Sequence, residues 1–146
     1  MDINNWKNYV ELLRQVPVDK DSLAFFSGVP STSSYMRDHA HLQPAVFPSR
    51  LLKNSSMDTF WSQTLNTPDT IQHAILLIRK SIMNLQYQTP EFQADDSLEW
   101  TPDVSLLVQL GSRINGWQDT VHGGVLASLL GECLGCAVET AGAMAL

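Results

Sequence analysis

The residues whose types and spacing could do chemistry are concentrated in one stretch: Asn115-Gly116, then His122-Gly123-Gly124, then an apolar run that reaches Glu132. Two glycines at the opening of a helix leave backbone N–H groups bare and aimed outward, at the positive end of the helix dipole. Donors placed that way can polarise a carbonyl oxygen. A complete site would also want a carboxylate on the helix, and the chain offers Gly131 followed by Glu132.

The other constellations are weaker. Cys133 and Cys136 have C-x-x-C spacing but lie inside the apolar helical run, and no second Cys or His pair follows at zinc-site spacing. They are expected to be buried structural thiols. Asp38-His39-Ala40-His41 offers an H-x-H pair beside an acid without a third-ligand pattern, so exposed polar residues are expected there and no metal. His73 has no partner four residues away and is expected to be solvated. No G-x-S-x-G elbow occurs, which leaves a serine-nucleophile route of the α/β-hydrolase kind unsupported.

These residues must be positioned by a chain of 146 residues, 44% hydrophobic and 16% charged, enough to bury one core. A net charge of −6 and a pI near 5.0, with scattered lysines and arginines, give no electrostatic footprint for nucleic acid. The start, Met1-Asp2-Ile3-Asn4-Asn5, lacks the basic and apolar regions of a secretory signal, so a cytoplasmic protein is expected. Residues 121–146 are apolar over the length of a membrane span, and Gly131 and Gly135 form G-x-x-x-G. His122, Glu132 and Glu139 within that segment, and the absence of a basic flank, argue against insertion.

Trp6, Tyr9, Val10, Leu12 and Leu13 recur at helical spacing and predict a helix over 5–15 that ends before Pro17. Residues 16–56, broken by Pro17, Pro30, Pro44 and Pro48, read as loop with short helical turns at 22–26 and near Tyr35. A short helix is expected over 57–65. A longer one is expected over 68–84, with Thr67 as cap, Pro68 at the first position and the stripe Ile71, Ala74, Ile75, Ile78, Ile82. After a polar linker, 87–102, in which Asp95-Asp96 reads as a solvated turn, Val104, Leu106, Val108 and Leu110 alternate as a half-buried strand. From Gly123 the stripe Leu126, Leu129, Leu130, Cys133, Leu134, Ala137 predicts a buried central helix.

The run from Leu106 to Glu139, Leu-Val-Gln-Leu-Gly-Ser, Asn-Gly, then His-Gly-Gly-Val-Leu-Ala-Ser-Leu-Leu-x-Glu-x-Leu-Gly, resembles the hot-dog fold acyl-CoA thioesterases of the phenylacetate-degradation type, especially their fungal relatives. Pro48-Ser49-Arg50 and the run Thr64 to Ile71 resemble the N-terminal extension of those relatives. The resemblance implies an α+β chain. Residues 1–102 would be a helical and loop extension, and 103–146 a partial hot-dog domain of one strand plus its central helix. It implies pairing of two copies through the sheet and an acyl-CoA or acyl-carrier thioester as substrate, with no other cofactor. In that frame the N–H of Gly123 or Gly124 holds the thioester oxygen, His122 and Asn115 shape the pocket mouth, and an acid on the central helix, supplied by the partner subunit, serves as base or nucleophile.

The chain departs from that pattern in two places. The family's acid stands nine positions after the histidine, which here is Gly131, and Glu132 lies one step further, rotated by about 100° around the helix. A hot-dog domain also continues with further strands, for which 141–146 leaves no room, so a truncated product is expected on length. Two functions follow from the resemblance: hydrolysis of acyl thioesters, or a catalytically inactive relative that acts as an acyl-binding or protein-interaction module.

Overall fold

The computed structural model describes residues 6–84 and 104–144; the linker 87–102 lies outside the described residues. The first helix, α1 (Trp6–Gln15), forms where its apolar spacing predicts it and buries Tyr9, Val10, Leu12 and Leu13 along one face. Arg14 near its end donates from Nε to the carbonyl of Met83 at 2.8 Å and from a terminal nitrogen to that of Ile82 at 3.0 Å. Two nine-residue helices follow where only short turns were expected, α2 (Lys20–Gly28) and α3 (Pro30–Asp38). Asp19 caps α2, accepting from the Ser22 N–H at 3.0 Å, and Pro30 takes the first position of α3, where its missing N–H costs nothing.

Strand β1 (Leu42–Ala45) leads into a 3-10 turn at Pro48–Arg50 and a π-helical turn at Phe60–Thr64. The helix expected over 68–84 is instead irregular chain, then a strand, β2 (Ala74–Arg79), and only then the short α4 (Lys80–Asn84). The stripe that suggested a helix belongs to an unbroken apolar run, Ala74-Ile75-Leu76-Leu77-Ile78, which suits a strand buried on both faces. Ala74, Leu76 and Ile78 join the larger core with Val10, Leu13, Phe47 and Trp61, while Ile75 and Leu77 join Phe26 and Leu42. β3 (Val104–Val108) is half-buried as expected and completes an antiparallel sheet in the order β1-β2-β3, with Leu42 opposite Arg79 and Ala74 opposite Val108.

A second, two-stranded sheet was not anticipated: β4 (Asn115–Trp117) pairs antiparallel with β5 (Thr120–Val121), reversing at Asp119, whose φ of 53° is left-handed. Gly111 lies so close beneath the Asp69 and Thr70 carbonyls that a Cβ would collide with them, which fixes the path from β3 into this hairpin.

The last element, α5 (Gly123–Met144), spans 22 residues. It packs on α1 and β3 through a single stripe, Leu129, Cys136 and Thr140, which are buried, and Glu132 and Cys133, which are partly so. Its opposite face is open: Leu130 is 65% exposed, Leu134 66% and Val138 70%. The expectation of a buried central helix is therefore corrected.

So is the fold. The chain is mixed α/β with two small antiparallel sheets, neither closed nor strongly curved, in place of an α+β partial hot-dog in which a sheet wraps the helix. The physical cause is β2. A strand buried on both faces lies at the middle of the main sheet, covered by the larger core on one side and by the Phe26 cluster on the other, so the sheet's apolar surface is used up without enclosing α5.

Candidate functional site

The β4–β5 hairpin and the start of α5 bring four of the sequence-derived candidates together. Asn115 stands opposite Val121 in the hairpin, and the next residue, His122, donates its N–H to the Ile114 carbonyl at 2.8 Å. His122 then turns back over the helix start. Its Nδ1 accepts the Gly124 N–H at 2.9 Å, and its carbonyl accepts from Val125 at 2.9 Å and Leu126 at 3.2 Å. The histidine thus caps α5 with its ring and its backbone at once, which requires Nδ1 to be the unprotonated nitrogen.

Two glycines serve this cap sterically. A Cβ on Gly124 would stand 3.0 Å from His122 Nδ1, and one on Gly116 would stand 2.9 Å from its Cδ2. Gly123 is different. Nothing lies within 4 Å of the position its Cβ would take, and its N–H has no partner among the described residues. Of the two donors expected to be bare, one is occupied by His122 and one is open.

Glu132 is not part of this group. It stands nine positions beyond Gly123, about 13 Å along the axis. Its Oε2 accepts a short hydrogen bond from Ser49 Oγ, tying the Pro48–Arg50 turn to the middle of α5. Gly131 beside it has open space around it. Within one chain, then, no carboxylate on α5 reaches a carbonyl held at Gly123.

Both thiols are free. Cys136 is buried and burial pushes its pKa up to about 11, while burial also raises that of Tyr9 beside it, so neither is a nucleophile near neutrality. His39 stacks on Tyr35 with ring centroids 4.1 Å apart, and its ring lies 6.0 Å from that of His41. Among the described residues no group of three or more His, Cys, Asp and Glu side chains is placed to hold a metal ion.

His73, expected to be solvated, is instead half-buried, stacked on Phe25 at 4.6 Å with Nδ1 3.1 Å from Ser22 Oγ. Ser22 is buried and donates to Asp19 Oδ2, so the three form a chain across the start of α2. Those hydrogen bonds hold the Asp19 carboxyl below its usual pKa. Beside them lies a cavity of about 290 Å³, lined also by Arg50 and Asn66. Sequence reasoning missed this cluster; its one local signal was Asp19-x-x-Ser22, the pattern of a helix cap.

No family model matches the chain, and no solved structure matches it. Among curated proteins it is 32% identical over 83 residues to verlamelin biosynthesis protein B of a Lecanicillium species, a segment that is 55% of this chain and 32% of that protein. The chain therefore matches about a third of the relative's length. The similarity is to a fungal biosynthetic protein. The hot-dog fold, and the acyl-CoA thioesterase that the resemblance implies, are not supported: no family model matches, and the open sheet argues against that fold.

Proposed function

We propose that the chain is a non-catalytic module of a biosynthetic system that holds the carbonyl oxygen of an acyl thioester, presented on a carrier, at the Gly123 N–H. The observation that carries this reading is the division of labour at the helix start. His122 occupies the Gly124 N–H and fixes the first turn, while the Gly123 N–H stands open at the positive end of a 22-residue helix. A single preorganised donor orients a carbonyl. Hydrolysis would also need a base within hydrogen-bond reach, and within one chain Glu132 is about 13 Å away along the axis and engaged by Ser49. The similarity to a fungal biosynthesis protein agrees with a role on biosynthetic intermediates.

The test uses an acyl thioester of N-acetylcysteamine as probe and the Gly123 amide resonance as reporter. The expected result is a saturable shift of that resonance with no thiol released above the uncatalysed background. Gly123→Pro removes the donor at the first helical position, where proline is tolerated; its binding, read from the Gly124 amide resonance because proline has no N–H, is expected to weaken at least about tenfold without unfolding the helix. Equal binding by Gly123→Pro would sink the site, and turnover of the probe would sink the non-catalytic reading.

A further inference from the structure

The cavity at the start of α2 is built from side chains that no part of the helix-entry reading uses. Arg50 is half-buried on its wall. Its guanidinium is fixed by the Ile71 carbonyl at 2.7 Å, the Gln72 carbonyl at 3.2 Å and the Asn66 side-chain oxygen, which leaves Nε–H and one Nη1–H without a partner among the described residues. All of those partners are neutral. Arg50 makes no ion pair among the described residues, although desolvation lowers its pKa and the nearby Asp19 carboxylate pulls it back up.

A partly buried guanidinium held rigid by neutral oxygens, with a carboxylate nearby but none in direct contact, is a receptor for a carboxylate, because charges withdrawn from water are ordinarily paired. A purely anionic ligand, however, would meet Asp19 on the same wall. Asp19 is kept ionised by its bonds from Ser22 and can accept from a cation. The rest of the lining includes apolar Val46, Phe47 and Ala74. A wall carrying one fixed cation, one fixed anion and an apolar floor matches a ligand with those three features.

We infer that this cavity binds a small aliphatic α-amino acid as its zwitterion, the carboxylate on Arg50, the ammonium on Asp19 and the side chain over Val46, Phe47 and Ala74. The cavity, open to solvent on one side, has a volume of about 290 Å³, at the lower end of ordinary ligand pockets and in keeping with a molecule of this size.

Titration calorimetry of the whole chain with leucine, leucine methyl ester and 4-methylpentanoate tests this from the ligand side, with no variant needed. Leucine should bind, and each analogue, lacking one charge, should bind at least about tenfold more weakly. Asp19→Asn keeps a good helix cap and removes only the charge, so it should weaken leucine at least about tenfold while 4-methylpentanoate binds no worse. Absence of leucine binding at about 10 mM, equal binding of leucine and its ester, or an Asp19→Asn chain that binds leucine unchanged would each overturn the inference.

Discussion

β2 and α5 are both apolar runs of similar character, and they end in opposite surroundings. Leu76 and Ile78 in β2 are fully buried, whereas Leu130, Leu134 and Val138 in α5 are mostly open. The difference is one of neighbours. β2 has strands on both edges and apolar clusters on both faces, while α5 has α1 and β3 along one stripe and nothing described along the other. By length and composition α5 could cross a membrane, yet its inner stripe is tied to the core through Leu129 and Cys136 and to the Pro48–Arg50 turn through Glu132. Apolar composition alone therefore does not say which faces of a segment the fold covers.

The sharpest way to break that contrast is truncation. Leu76→Ala should destabilise by about 2–5 kcal/mol, read from the urea midpoint, because it opens a cavity between fixed neighbours. Leu130→Ala should change stability by less than about 0.5 kcal/mol. Comparable losses would mean that the outer face of α5 is covered in solution.

Glycines give a second pair, of opposite sign. Gly111→Ala drives a Cβ into the Asp69 carbonyl and should cost about 1–3 kcal/mol. Gly131→Ala, with open space around it inside a helix, should instead stabilise by up to about 1 kcal/mol. A destabilised Gly131→Ala chain would place a close neighbour on that face.

The last contrast is in pH dependence, at the start of α2. The folded-state pKa of Asp19 lies below its ordinary value of 3.8, so its contribution is present above that value and lost as pH falls through the lower folded one. Asp19→Ala should cost about 1 kcal/mol near neutrality through the lost cap, and should flatten the acid limb of the stability curve. An acid limb of unchanged shape would assign it to other carboxylates.

Local signals were legible where one physical rule decided the outcome. α1 and α5 followed from apolar spacing, β3 from alternation, and the first turn of α5 from His-Gly-Gly. The region 68–84 reads as a helix from sequence because Ile71, Ala74, Ile75, Ile78 and Ile82 fit a helical stripe, yet the residues between them, Leu76 and Leu77, are apolar as well. Periodicity cannot separate those readings; pairing with β1 and β3 can. The site was legible in part for the same reason. Gly123 and Gly124 were recognised as donors, but that His122 would occupy one of them depended on the hairpin that returns the chain over its own helix start.

By itself the sequence determined which segments are apolar, where the long C-terminal helix begins, that its entry carries backbone donors, and that the chain has no basic footprint for nucleic acid. Only the tertiary structure decided that β2 is a central strand, that Glu132 belongs to Ser49, and that Arg50, Asp19 and Ser22 share one cavity wall. The physical reason is range. Caps and apolar periods act over a few residues, whereas sheet pairing and the meeting of charges from residues 19 and 50 depend on contacts between segments far apart in the chain.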